Sequence, residues 1–385
     1  MSAIKRIEII EFSYPIRNLA LDENGFDYVY SPGVDAQRTS LATRIETEDG
    51  HVGEYVGGAP IIMSQISAVA PKMIGISAFS RLHFYEEFKR ALRKYDKTGV
   101  GPLDNALWDW AGRRLDVSVS DLLGASSRKI PAYASTYHGD EAGGLGTPED
   151  FASFAEHCLS LGYTGFKMHG WVNGDVAREV KAVLLLGERV GGRMKLMLDP
   201  ASHLITFADA LEVGRACDQA GFFWYEDPFR DTGISGTAHK LLRERIKTPL
   251  LMGEHVRGLE AKMNLVLAGA SDFVRVNPDL DMGITGALKV AHMAEAMGLD
   301  VEVHAAGPAH RHCVAAFRNA NFYEQALVGP KSGSSNPDVY TCGYADNLET
   351  VDAKGYVDVP DGPGLGVDYD WDFIRSNAVR QHVFA

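Results

Sequence analysis

Disulfide-forming potential is small: the 385 residues include four cysteines, Cys158, Cys217, Cys313 and Cys342, with no CxxC pair and no regular spacing. In a chain of this length that argues against a disulfide framework and fits reduced thiols inside a cell. Apolar runs are short as well. None approaches the roughly 18 residues that a membrane span requires, and the N-terminus MSAIKRIEIIEFSYPIR has neither an apolar h-region nor a cleavage signature. A cytoplasmic protein with no signal peptide and no membrane partner is expected. Positive charge is scarce: 38 Lys and Arg stand against 51 Asp and Glu, a formal charge of −13. That argues against a nucleic-acid partner, whose phosphates demand a basic stripe. The acidic residues are spread along the chain rather than blocked, so they specify no partner.

What is present is 45% hydrophobic and 23% charged, ordinary for a soluble globular protein. The length suits a barrel plus a smaller module. β-type patterns come first, in IKRIEIIEF and in SLATRIETEDGHVGEYVG with a turn at Asp49-Gly50. Helical periodicity then runs from about Ser64 to Leu123, with Leu103, Ala106, Leu107 and Trp110 on one stripe. This predicts an α+β module over residues 1–128. From Ile130 short apolar strands alternate with helical segments: IPAYAS, GFKMH, MKLMLD, FFWYED, LLMGEH, FVRVNPD, DVEVHA and FYEQAL. Between the first two, Thr147 is a helix N-cap, Pro148 sits at N1, Phe151, Phe154 and Cys158 form the stripe, and Gly162 ends the helix. Eight strands in βα alternation predict an α/β fold, a (β/α)₈ TIM-type barrel, over residues 129–350. A doubly wound sheet is the alternative, lowered by the missing Gly-rich turn after its first strand. Residues 351–385 are rich in Gly, Pro and Asp and read as an irregular extension returning to the N-terminal module.

Barrel enzymes carry their chemistry at the C-terminal strand ends. Here those ends bear Lys167 and His169, then Asp199, Glu226, Glu254, Asp279, His304 and Glu324 on consecutive strands. Lys167 and His169 are two apart, so both point into the barrel. Taken singly, each residue has a bland reading: a carboxylate can be a helix cap, a buried lysine a structural ion pair, a histidine part of the core. Their joint order is what independent caps would not produce. Three converging carboxylates repel one another, and a hard divalent cation resolves that. Asp199, Glu226 and Glu254 are all-oxygen ligands, which selects Mg²⁺ over Zn²⁺.

These residues give the chain a resemblance to the mandelate racemase branch of the enolase superfamily, covering nearly its whole length. LMLDP, WYEDPF and MGEH place Asp199, Glu226 and Glu254 27 and 28 residues apart, matching that family's metal ligands. VNPD and VEVH match its Asp–His dyad at Asp279 and His304, and Glu324 matches its strand-eight glutamate, here as a protonated donor to the substrate carboxylate. ALWDWAGRRLDVSVSDLLG looks like the helix before the first barrel strand. Two departures stand out. Lys167-Met168-His169 replaces the usual Lys-x-Lys, and PDLDMGITGALK looks about two residues shorter than the usual loop. The resemblance implies an N-terminal capping domain, a modified (β/α)₇β barrel and a Mg²⁺-stabilised enediolate formed from a small-molecule carboxylate. Lys167 would neutralise charge, while His169 and His304 would move protons on opposite faces. Dehydration of an acid sugar to a 2-keto-3-deoxy acid is favoured over racemisation, epimerisation or cycloisomerisation; a non-catalytic homologue is the remote alternative. The cap segment Arg17 to Arg38, with Tyr14, Asn18, Asp22, Asn24, Tyr28 and Tyr30 in or beside it, is polar and aromatic enough to meet a polyol. His138, His255, His310 and His312 are further candidate contacts. A homo-oligomer is expected by analogy.

Overall fold

The structure, a computed structural model, describes residues 2–21, 28–125, 127–230 and 233–385; Asp22 and Asn24 lie outside the described residues. The N-terminal alternation builds an antiparallel sheet from β1 (Ile4–Leu21), β2 (Tyr28–Thr47) and β3 (Val52–Val56), turning at Asp49-Gly50 with Gly50 at φ 84°. The first two strands run further than the short patterns predicted. Their ladder continues to Leu21 opposite Tyr28, so much of the segment from Arg17 to Arg38 is hairpin rather than loop. The helix Gly101–Leu115 packs Trp110 and Ala106 onto β3 so closely that a Cβ at Gly53 would lie 2.2 Å from the Ala106 carbonyl.

Eight parallel strands follow: β4 (Lys129–Thr136), β5 (Gly165–His169), β6 (Lys195–Asp199), β7 (Trp224–Glu226), β8 (Leu250–Met252), β9 (Phe273–Val276), β10 (Asp300–Val303) and β11 (Tyr323–Val328). A helix fills each of the seven connections, and the next α-helix after β11, Trp371–Ser376, lies in the C-terminal segment and contacts cap strand β1, which gives a (β/α)₇β barrel. Helix starts obey local chemistry. Thr147 and Asp150 form a capping box, Pro148 occupies the first turn, and Gly162 ends that helix at φ 112°. The strands pair in the order β10-β9-β8-β7-β6-β5-β4-β11, so the sheet curls until its last strand meets its first. No ladder joins β10 to β11. Side chains and loop backbone bridge that seam instead: Asn321 Nδ2 donates to Glu302 Oε1 at 2.7 Å, and Val301 N–H to Asn319 O at 2.9 Å.

Tyr133, Met197, Trp224, Leu251 and Phe273 form a separate apolar cluster inside the barrel, each large side chain contributing about 1.5–3 kcal/mol on burial. The polar strand ends therefore rest on a rigid floor. Beyond the barrel, β12 (Tyr356–Asp358) pairs with β4, and β13 (Ala378–Phe384) pairs with β1 to complete a cap sheet of order β13-β1-β2-β3. The cap is tied to the barrel by buried polar contacts. Asp104 accepts from Thr285 Oγ1 at 2.7 Å, and Asn105 Oδ1 from the Ile284 N–H at 2.9 Å. No helix among the described residues is long and apolar enough to cross a membrane.

Candidate active site

Strand parity delivers Lys167 and His169 together into the barrel mouth. Lys167 Nζ lies 3.2 Å from Asp199 Oδ2, 3.1 Å from Glu226 Oε2 and 2.9 Å from Glu324 Oε1. Burial alone would strip its proton, but Glu226 and Glu324 hold its pKa well above the ordinary lysine value, so Lys167 is a fixed ammonium and not a base. Opposite it, Arg275 reaches inward from β9. Its Nε lies 2.7 Å from Glu226 Oε1, and its Nη2 3.2 Å from Glu324 Oε2 and 3.1 Å from the Tyr133 hydroxyl.

One donor oxygen each of Asp199, Glu226 and Glu254 lies within 4.8 Å of the others. Burial opposes the charge on Asp199, yet Lys167 and His169 outweigh it and hold that carboxyl well below the usual range. Burial likewise opposes Glu254, and His304 and His255 overcome it. At Glu226 burial wins against Arg275 and Lys167 and pushes the carboxyl up to about 8. Crowded carboxylates in this state are what a divalent cation neutralises.

Glu324 departs from its expected protonated form. It accepts from Ser135 Oγ at 2.9 Å and from the Ala305 N–H at 2.8 Å, besides facing Lys167 and Arg275. Burial resists its charge, but Arg275 and Lys167 pull its pKa well below the carboxylate norm. Every neighbour is a donor, so Glu324 is an ionised acceptor.

The expected Asp279–His304 dyad is not formed. His304 Nδ1 instead lies 2.9 Å from Asn277 Nδ2, while its Nε2 faces Glu254 Oε1 at 3.2 Å. β9 ends at Val276, and the chain turns at once, the N–H groups of Leu280 and Asp281 donating to Asn277 O. That turn carries Asp279 away to the cap, where the Tyr55 hydroxyl and Asn105 Nδ2 donate to it. Burial raises Asp279, with His310, Tyr55 and Asn105 opposing. Counted from Asn277, the residue that meets His304, the segment before Gly-Ile-Thr is two residues longer than counted from Asp279. The two inner residues that sequence reasoning missed, Arg275 and Asn277, carried a usable signal: they are two apart on one strand, as Lys167 and His169 are.

His169 Nδ1 faces the Thr136 carbonyl at 2.7 Å, and its Nε2 lies 3.3 Å from Asp199 Oδ2. Burial lowers the pKa of both His169 and His304 against the pull of the neighbouring carboxylates. His138 stands beside His169, ring centroids 5.1 Å apart, and its Nδ1 faces the Gly170 carbonyl. His255 is on the solvent side of Asp227. His310 is fully buried, with Asp279 and His304 as its nearest titrating neighbours. His312 is structural: Nδ1 accepts from the Ser120 N–H and Nε2 meets the Leu365 carbonyl, which leaves neither nitrogen for a polyol. Of the cap residues, Arg17 is exposed opposite Asp35, Tyr28 lies under Arg38, and Tyr30 packs against Gly143 with Lys331 over its ring. Tyr14 donates to the Ser335 carbonyl. The hairpin thus leans on the loops after β4 and β11, and the partners of Tyr14, Tyr28 and Tyr30 lie there and within the hairpin.

Residues 31–124 match the mandelate racemase/muconate lactonizing enzyme N-terminal domain, and residues 150–373 the enolase C-terminal domain-like family. The structure of D-glucarate dehydratase from Agrobacterium tumefaciens complexed with magnesium is 33% identical, with a TM-score of 0.89 over 98% of this chain and 100% of its own. Arabinonate dehydratase from Saccharolobus solfataricus is 24% identical over 85% of this chain and 87% of its own length. N-succinyl-L-Arg/Lys racemase from Bacillus cereus is 23% identical over 99% of both. The chain therefore belongs to the mandelate racemase/muconate lactonizing enzyme family of the enolase superfamily.

Proposed function

We propose that the protein is a Mg²⁺-dependent dehydratase of an acid sugar, an aldonate or aldarate, and that it uses a single base, His169. The observation that carries this reading is the opposite character of the groups at Nδ1 of the two histidines, a backbone carbonyl at His169 and an amide nitrogen at His304. A carbonyl can only accept, so the Thr136 carbonyl fixes the proton of neutral His169 at Nδ1 and leaves a lone pair at Nε2. Asn277 does the reverse. Its Oδ1 accepts from the Asp279 N–H at 2.7 Å, which turns its Nδ2 toward His304 and makes His304 Nδ1 an acceptor. Neutral His304 then carries its proton at Nε2, where it donates into the site and cannot take a proton. A flipped Asn277 would set its amide against the Asp279 N–H.

The donor set fits Mg²⁺: three carboxylate oxygens, no thiolate and no imidazole among them. Asp199, Glu226 and Glu254 would hold the ion, which when bound supplies positive charge where the enediolate's negative charge develops. His169 Nε2 takes the α-proton. As an imidazolium it returns that proton to a β-hydroxyl on the same face, the C–O bond breaks, and water leaves. The enol that remains takes a proton from solvent at carbon 3, releases its hydroxyl proton to solvent, and becomes the 2-keto-3-deoxy acid. Lys167 and Arg275 keep Glu324 ionised and hold Glu226 in place, and His304 donates to oxygen as a neutral imidazole. Racemisation by two bases on opposite faces needs a lone pair at His304 Nε2, and Asn277 disfavours one. The D-glucarate and arabinonate dehydratases among the relatives support the same class.

The test is a library of aldonates and aldarates with Mg²⁺, assayed for 2-keto acid. Keto acid from at least one member, abolished by EDTA, is expected. Deuterium entering the α-carbon without keto acid would make the enzyme an isomerase.

A further inference from the structure

We infer that the site takes a second divalent cation, of a borderline type such as Mn²⁺ or Zn²⁺, held by Asp227, His255 and a shared Glu254. One donor atom from each of these three residues lies within 4.8 Å of the others, in a group that meets the first site only at Glu254. Glu226 ends β7, and Asp227, the next residue, leaves the strand at φ 31°; the two carboxylates fall in different groups, Glu226 in the first and Asp227 in the second. The donor set differs in kind. An imidazole joins two carboxylates, which favours Mn²⁺ or Zn²⁺ over Mg²⁺.

Asp227 supplies the independent observation. Its side chain is 1% exposed, and neither carboxylate oxygen has a hydrogen-bond partner among the described residues. A buried carboxylate without donors is unfavourable. A protonated Asp227 would need an acceptor, and none lies within hydrogen-bond distance among the described residues. Lys262, a buried ammonium, is committed elsewhere: its Nζ donates to Gly253 O at 2.5 Å, Arg275 O at 2.7 Å and Asp281 at 3.2 Å. His255 Nε2 lies 3.8 Å from Asp227 Oδ2, too far for a hydrogen bond. That separation matches two ligands of one ion, each about 2.0–2.2 Å from it. His255 is on the solvent side and gives the ion an entry path, while three protein donors leave positions for oxygen ligands of water or substrate.

The test counts Mn²⁺ bound per full-length chain by the loss of the free-ion EPR signal. Two ions are expected in the wild type and one in Asp227→Asn. His255→Gln, a change on the solvent side that spares the core, is expected to lose the same ion. One ion in the wild type and in both variants overturns the inference and leaves the proposed function standing. Two ions retained in both variants also overturns it. No bound ion in any of them overturns both readings.

Discussion

At Asn277 the side-chain carbonyl is held by the backbone of Asp279, and the amide nitrogen is thereby turned to His304. Replacing that amide with a carboxylate reverses the polarity of the contact. Asn277→Asp should move the His304 proton to Nδ1 and create a second lone pair in the site. The expected outcome is new α-proton exchange on the opposite face, seen as deuterium in recovered substrate of inverted configuration. His169→Gln should lower keto-acid formation by about 10²–10⁴-fold, the usual reach of general acid–base catalysis, and abolish exchange with it. Arg275 is the other residue that carries more than its own charge. Arg275→Met leaves Glu226 and Glu324 buried with Lys167 as the one lysine or arginine still paired with them among the described residues. A loss of about 3–5 kcal/mol in urea unfolding is expected, as for other broken buried pairs.

Elements explain why some of the site was legible and some was not. The metal trio and Lys167-x-His169 could be read because each sits at the end of a strand whose apolar run is plain. Arg275 and Asn277 share that inward face, but the eye goes to Asp279, the expected residue type two places on. What misled was the turn after Val276, a backbone event that strand periodicity does not report. The same turn gives Asp279 its actual task, joining the end of β9 to the cap through Tyr55 and Asn105. Tyr55→Phe should therefore cost about 1–3 kcal/mol, the penalty for a buried acceptor losing its donor, visible as a lower melting temperature. β13 went unread for a different reason: its residues are mostly exposed, so burial stamps no alternation on the sequence. The long cap hairpin was under-read because the residues between its strands look like loop.

Across the whole molecule, several carboxyls are held by burial far above their unfolded values. Burial pushes Glu226, Glu179 and Glu302 to about 8 each. The folded protein therefore binds protons that the unfolded chain has released. This stabilisation is complete below about pH 4.5, the unfolded value, and is lost as pH rises through 8. Metal-free protein should melt at falling temperature from pH 6.5 to 9. Mg²⁺ should recover only the part due to Glu226, because Glu179 and Glu302 are not ligands. Since the ion needs Glu226 as a carboxylate, its affinity should rise with pH toward 8. Calorimetry in buffers of different ionisation enthalpy should show about one proton released per ion at neutral pH.

In the proposed function the site has one base, His169. The most direct test runs the wild-type enzyme with Mg²⁺ in D₂O on the acid sugar it turns over, and recovers the unreacted substrate partway through. The expected result is accumulating 2-keto-3-deoxy acid with recovered substrate wholly of the starting configuration. Recovered substrate of inverted configuration, deuterated at the α-carbon and formed without keto acid, would contradict the account.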